Sequence, residues 1–243
     1  MTYLTKFWIC TIAILGVVII LSSSCKKKDD NSNNPSVTTI TDKDGNVYHT
    51  VTIGTQVWMV ENLKTTKFND GSSISQVTVD TIWGKMTTPA YCWYDNTIGY
   101  KDAYGALYNW YAVETGKLAP SGWHVPTQAD WNTLAIYLGG AAMAGGKLKE
   151  SGTSHWADPN TSATNESGFT AYAGGIRYTG NYYLDTRFTA MGQEGNWWSS
   201  TSTPFQTWYH YTTMDLYHDS QDMGIYADEF KAVLGMSVRC IKD

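Results

Sequence analysis

The sequence predicts an α+β domain in which two helices are set among short antiparallel strands and long irregular loops. Three observations carry this reading. Two β-rich runs, 47–53 and 56–60, flank Gly54-Thr55 in the manner of a hairpin. Two stretches repeat apolar residues at helical spacing: Tyr104, Leu107, Tyr108 and Tyr111, then Trp131, Leu134, Ala135 and Leu138. Between Ala141 and Gln206 the chain is rich in Gly, Ser, Thr and Asn and carries only brief aromatic runs, the pattern of short strands joined by long loops.

Taken in order, the first segment is not part of the fold. Lys6 supplies a short positive start, and Phe7 to Leu21 is an apolar run, short of the roughly 20 residues a spanning helix needs. Small residues then lead into Cys25, so residues 1–24 resemble a bacterial lipoprotein signal peptide in which Cys25 becomes the lipid-bearing first residue. Leu21 stands four places before that cysteine, where the usual pattern has it three before. Residues 25–39 read as a flexible polar tether, because a charged and Asn/Ser-rich run without periodicity has nothing to pack. Within it, Lys28-Asp29-Asp30 resembles the export signal of Bacteroidota lipoproteins, which implies an anchor in the outer membrane with the domain facing outward; the alternative is a solvated linker.

The domain itself is expected over residues 40–243. Asp44-Gly45-Asn46 is a turn signal ahead of the hairpin. Asp42 and Asp44 look like the opening of a calcium loop, but the later ligand positions are missing and a plain turn is the reading. Glu61-Asn62-Leu63 leads out of the hairpin to a second turn at Asn69-Asp70-Gly71. Ser72 to Trp83 is either a short strand or a surface loop, and Pro89 to Asn96 is an aromatic strand ending in a turn. The first helix runs through Tyr104–Tyr111 and closes near Gly116. In the second, Pro126-Thr127 followed by Asp130 makes Thr127 the N-cap with Asp130 as its return partner, and Gly139-Gly140 provides the left-handed stop. Residues 235–241 alternate as a final strand.

Composition narrows the function. A formal charge of −5 leaves no basic footprint for nucleic acid. Eleven Trp and seventeen Tyr against six Phe favour rings with a polar handle, suited to a core that bonds their N–H and O–H groups or to a surface that grips flat ligands. With Cys10 in the signal and Cys25 taking the lipid, Cys92 and Cys240 remain. In an oxidising compartment a disulfide is the simplest reading, contributing about 4 to 5 kcal/mol for so long a loop; two buried free thiols are the alternative. No Cys/His spacing points to zinc.

Several segments occur together in one order: Asp44-Gly45-Asn46-Val47-Tyr48, Ile53-Gly54-Thr55-Gln56-Val57-Trp58, Glu61-Asn62-Leu63, Tyr104–Trp110, Pro120–Thr127, Gly168-Phe169, Trp197–Ser200 and Ser237-Val238-Arg239-Cys240. This set resembles the Fibrobacter succinogenes major paralogous domain from about residue 40 onward. The family occurs in secreted or lipid-anchored bacterial proteins and its function is largely uncharacterised, so the resemblance implies a fold and an address more than an activity. Val125–Trp131 is also similar to the Leu-Pro-Thr-Glu-Ala-Glu-Trp segment of the formylglycine-generating, sulfatase-modifying family, and that likeness implies a C-type-lectin-like fold.

Three functions follow as expectations. The foremost is a non-catalytic binding or adhesion module for glycan or protein ligands, tied to the membrane through the lipid anchor. Its best polar and aromatic candidates in the long-loop region are Asn181, Tyr182, Asp185, Arg187 and Glu194. A structural envelope component is the second. The third is an enzyme of the formylglycine-generating kind, whose active-site cysteine pair, usually held by copper, could here only be Cys92 and Cys240. No ordered Ser-His-Asp set stands out, His124 beside a helix start reads as a packed or solvent-facing ring, and no cofactor is expected. The Glu-Pro-Asn and Gln-Pro-Asp triplets of calcium-dependent lectins are absent.

Overall fold

In the computed structural model, which describes residues 38–179, 186–205, 208–228 and 232–243, the described chain opens with a twice-folded β-ribbon. Strand β1 (Thr39–Thr41) pairs antiparallel with β2 (Val47–Ile53), and β2 with β3 (Gln56–Met59). Ile53 opposes Gln56, so Gly54-Thr55 is the two-residue loop expected, with Gly54 at φ +64°, a backbone region that glycine enters without a Cβ clash.

The middle of the chain is made of short pieces: β4 (Ser75–Gln76), α1 (Asp80–Trp83), β5 (Ala90–Cys92), α2 (Lys101–Tyr104), β6 (Leu107–Tyr108), α3 (Trp110–Val113) and β7 (Trp123–His124). The single helix expected across Tyr104–Tyr111 is therefore not formed. Helix α2 stops at Tyr104 because Gly105 turns to φ +75°, where a Cβ would lie 2.7 Å from the Leu63 carbonyl oxygen. Ala106 N–H donates to that same carbonyl at 3.0 Å, and Tyr108 exchanges backbone bonds with Met236 at 2.9 and 3.1 Å. Strand pairing with distant segments thus overrides a local 3.6-residue period. Asn109 restarts the helix as α3, its side chain accepting from the Ala112 amide.

The next helix, α4 (Gln128–Tyr137), forms as read, with the full reciprocal box: Thr127 Oγ1 accepts from Asp130 N–H and Asp130 Oδ2 accepts from Thr127 N–H. Gly139 and Gly140, at φ +98° and +102°, end it and turn the chain into α5 (Ala141–Leu148), a helix the loop-like composition concealed. Helix α5 carries glycines at 145 and 146 because a backbone lies against it: a Cβ on Gly145 would stand 2.1 Å from the Asp222 carbonyl oxygen, and one on Gly146 2.5 Å from that of Ser162.

Beyond it, β8 (Ile176–Thr179) pairs antiparallel with β9 (Thr186–Thr189). Then β10 (Glu194–Phe205), β11 (Trp208–Tyr217) and β12 (Gly224–Asp228) form an antiparallel sheet, so the Trp197-Trp198 run lies in a long strand, not a short one. The short β13 (Ile241–Lys242) sits between β3 and β7.

Residues 235–242 tie these pieces together. Gly235 bridges Arg177 of β8, Met236 bridges Tyr108 of β6, and Ser237 bridges Trp197 of β10. The Val238 carbonyl accepts from Leu63 N–H, the Cys240 carbonyl from Met59 N–H, and Ile241 opposes both Trp58 and His124. The continuous final strand expected over 235–241 is not formed: only Ile241–Lys242 is strand, and the residues before it make single bridges and backbone bonds to a different partner at almost every step.

Two expectations are corrected by this arrangement. The helix-plus-strand content remains compatible with the broad α+β class, but the C-type-lectin-like, two-helix architecture is not what the chain adopts: strand outweighs helix among the described residues, the helices are mostly single turns, and the strands divide into separate sheets of five, three, three and two strands. The disulfide is not formed either. Cys92 and Cys240 are free, buried thiols, Cys92 packed with Trp83, Ala90 and Leu107 and Cys240 in the separate central cluster with Tyr48, Tyr108 and Val238.

Six tryptophans, at 58, 83, 131, 156, 197 and 198, are almost wholly excluded from solvent, so the tryptophan-rich composition serves the core. A ring of this size removes about 200 Å² from water, on the order of 5 kcal/mol of transfer free energy before chain entropy is counted. Trp58 stacks on Trp131 at 4.7 Å and 24°, with Phe169 edge-on to Trp58 at 5.7 Å, which packs helix α4 against strand β3. The calls on residues 1–24 and most of the tether, including Cys25, lie outside the described residues, as do Asn181, Tyr182 and Asp185.

Candidate functional site

A run of half-buried rings crosses the domain from the turn after β5 to the loop after α5. Phe188 lies 5.3 Å from Tyr94, Tyr94 is edge-on to Tyr100 at 5.8 Å and 83°, and Tyr100 is edge-on to Tyr104 at 6.0 Å and 63°. Tyr104 then meets His155 at 5.6 Å and Tyr172 at 6.3 Å, and His155 stacks flat on Tyr172 at 3.9 Å and 18°.

Local chain geometry places each ring. Tyr100 and Tyr104 are four residues apart on one helical turn and so share a face. Asp95 and Asn96 hold positive φ angles of 51° and 52°, which sets Tyr94 on a sharp turn out of β5. Tyr94 lies close against the backbone at Gly175, where a Cβ would come within 2.8 Å of the Tyr94 ring and 2.5 Å of the Thr189 carbonyl oxygen. A parallel bridge between Lys149 and Ala171 brings their neighbours Glu150 and Tyr172 together.

The polar end of the run is Glu150. Its Oε2 lies 2.8 Å from His155 Nδ1. Burial, and then the Glu150 charge, raise the Tyr172 phenol, with Arg239 opposing. Burial first, and then Tyr100 and Glu150, raise Tyr104. Both phenols therefore stay neutral across the physiological range, and a neutral phenol can both donate and accept a hydrogen bond. Beneath the run, Arg239 is fully buried: Nε and Nη2 reach Asn62 Oδ1 at 3.1 and 2.8 Å, Nη1 donates to the Phe169 carbonyl, and the guanidinium lies 4.2 Å over the Phe169 ring. Asn62 Nδ2 in turn donates to the Tyr104 carbonyl at 2.9 Å, so the floor holds the α2 end of the run in place.

The candidates named from the sequence fare differently. Arg187 is exposed on β9 with its guanidinium 5.6 Å over the Tyr178 ring. Glu194 opens β10, raised by burial with the Asn196 hydrogen bond opposing, in the neighbourhood of His218 and Asp219. Their side-chain neighbours differ, and neither belongs to the ring run. Tyr94, Tyr100, Glu150, His155 and Tyr172 were not singled out, and Tyr104 was read as part of a core stripe. The i, i+4 tyrosine pair at 100 and 104 was the legible signal. His124, expected as a packed or solvent-facing ring, is partly exposed and also bridges two carboxylates, Asp243 at 2.8 Å through Nδ1 and Asp130 at 3.2 Å through Nε2.

Cys92 and Cys240 do not make a paired site, being buried in separate clusters, and burial pushes the Cys92 thiol up to about 12, with Arg177 opposing. Among the described residues no group of three or more His, Cys, Asp and Glu is placed to hold a metal ion.

No curated protein and no solved structure matches this chain. The similarity of Val125–Trp131 to the sulfatase-modifying family thus gains no support beyond that segment. Residues 51–242, most of the chain, match the model of the Fibrobacter succinogenes major domain, and the match takes in the ring run, its Arg239 floor and the closing segment. The chain belongs to the Fibrobacter succinogenes major domain family.

Proposed function

We propose that this protein is a lipid-anchored, surface-exposed binding module whose ring run receives carbohydrate, without catalysis. The observation that carries the reading is the partly open aromatic series Tyr94, Tyr100, Tyr104 and Tyr172, ending at the Glu150–His155 pair. Aromatic faces take the apolar face of a sugar ring, while a carboxylate, an imidazole and neutral phenols pair with its hydroxyls. The N-terminal reading supports the address: residues 1–24 as signal, Cys25 as the lipid-bearing residue, and 25–39 as the tether to the outer membrane.

A glycan array probed with the full chain in detergent tests the binding. A bound glycan whose affinity falls about tenfold in Tyr104→Ala and in Tyr172→Ala, equivalent to about 1.4 kcal/mol each, is the expected result. Absence of any glycan ligand, or binding indifferent to both substitutions, removes the proposal. The address is tested separately by labelling cells with a fatty acid: label is expected on the wild-type chain and lost in Cys25→Ala, with the domain cleaved by protease added to intact cells.

A further inference from the structure

A concavity separate from the ring run lies where β1 meets the loop at 118–121. Its volume is about 320 Å³, and Ile40, Leu118 and Pro120 line its apolar part. Lys43 and Lys67 line it as well. The loop side is fixed in place: Asn69 N–H donates to the Lys117 carbonyl at 2.8 Å and Asn69 Nδ2 to the Ala119 carbonyl at 3.1 Å.

The charges there are unevenly engaged. Asp42 is saturated by protein donors: Oδ1 takes the Asp44 and Asn46 amides at 2.9 and 3.0 Å, and Oδ2 takes Asn46 Nδ2 at 2.8 Å and the Tyr48 hydroxyl at 2.5 Å. Asp44 accepts from the Thr66 amide and the Thr65 hydroxyl; burial raises its carboxyl, but the hydrogen bonds from Thr66 and the charge and hydrogen bond of Lys67 outweigh this and hold it below the usual range. Asp42 is thus tied into the turn at 42–46, and Asp44 to residues 65–67. The Lys43 ammonium has no hydrogen-bond or ion-pair partner among the described residues, and the Lys67 ammonium makes one ion pair there, 3.3 Å from Asp44 Oδ1. A small cleft lined by an apolar wall and two lysines, with Asp42, the one acid in its lining, already bonded, has a defined chemical complement.

We propose that this cleft is a binding site for a small organic anion, a carboxylate or phosphate group carried on a short apolar body. The volume is at the small end for ligand pockets, which limits the body to a few carbons or a single ring. Lysine serves such anions as a point charge, so the site favours charge over planar geometry and weakens as salt rises.

Amide chemical-shift titration of the full chain in detergent with hexanoate, hexyl phosphate and inorganic phosphate tests this. The expected result is a saturable shift at residues 40–43, 65–69 and 118–121 with an amphiphilic probe, weakened at least tenfold in Lys43→Gln/Lys67→Gln and unchanged in Lys85→Gln. The hexanoate and hexyl phosphate arms separate the two head groups, and binding by either supports the site. The proposal is overturned if neither amphiphile shifts these amides, if inorganic phosphate binds as well as both, or if the double variant, shown folded by its own spectrum, binds like the wild type.

Discussion

Arg239 meets Asn62 Oδ1 from two nitrogens, at 3.1 and 2.8 Å, and among the described residues no carboxylate completes the pair. Burial lowers the guanidinium to about 9, with Glu61 opposing from a distance, yet arginine keeps its charge, so the amide oxygen and two backbone carbonyls must do what a counter-ion would. The same oxygen also accepts from Trp197 Nε1 at 2.8 Å. Asn62→Ala therefore strands a buried charge and a buried indole N–H at once. Urea denaturation is expected to show a loss of about 3 to 5 kcal/mol, and a loss below 1 kcal/mol would mean that water replaces the amide.

The two thiols are expected to be unreactive in the folded protein and free once it unfolds. Burial holds both above their ordinary range, Cys92 to about 12, so little thiolate exists at neutral pH. Alkylation of a Cys10→Ala/Cys25→Ala chain should modify neither remaining cysteine before denaturant is added and both afterwards, without reductant. A midpoint of unfolding that falls on adding reductant would reveal a bridge.

Alkaline pH should first stabilise the domain and then destabilise it. Lys149 is buried, donating to the Tyr217 and Ser220 carbonyls at 2.9 and 2.7 Å, and burial lowers it to about 8 from 10.5, with Asp219 opposing. Between those values the unfolded chain binds the extra proton, so stability rises with pH. Tyr48, Tyr108 and Tyr217 are raised by burial, and a raised phenol contributes stability that is present below pH 10 and lost as pH climbs past it. Denaturation midpoints at half-unit steps from pH 7 to 11 should trace a maximum near 10. In Lys149→Met the rise should flatten while the later fall persists.

Gly145→Ala is expected to destabilise by about 1 to 3 kcal/mol although alanine is the better helix former. The new Cβ would meet the Asp222 carbonyl oxygen at 2.1 Å, a backbone atom that no side-chain rotation relieves. Ala144→Gly, one position earlier, removes a buried methyl without any clash and separates this effect from loss of helix propensity. Thermal unfolding of the two variants checks the comparison.

Much of the local punctuation is legible in the sequence. The Gly54-Thr55 hairpin, the turns at Gly45 and Gly71, and the Thr127–Asp130 box all rest on residues whose conformational preferences act within a few positions. What was hidden depends on distant partners. Tyr104, Leu107, Tyr108 and Tyr111 keep helical spacing, yet Tyr108 is claimed by Met236, more than a hundred residues away, and no local pattern records that. Helix α5 was hidden for the opposite reason, because its glycines answer to the backbone at Asp222 and Ser162 and not to the helix. The ring run was half visible: Tyr100 and Tyr104 signal one another, while His155 and Tyr172 join them only through the bridge beside Lys149.

The segment 235–242 has a consequence for how the protein is made. Its partners at 58–63, 108, 124, 177 and 197 are all translated before it. A nascent chain on the ribosome thus holds strands without the one that joins them, and contacts of such long sequence separation form slowly even when available. The joins made by 235–242 can therefore form only after the segments they connect have been synthesised, which places them late in folding.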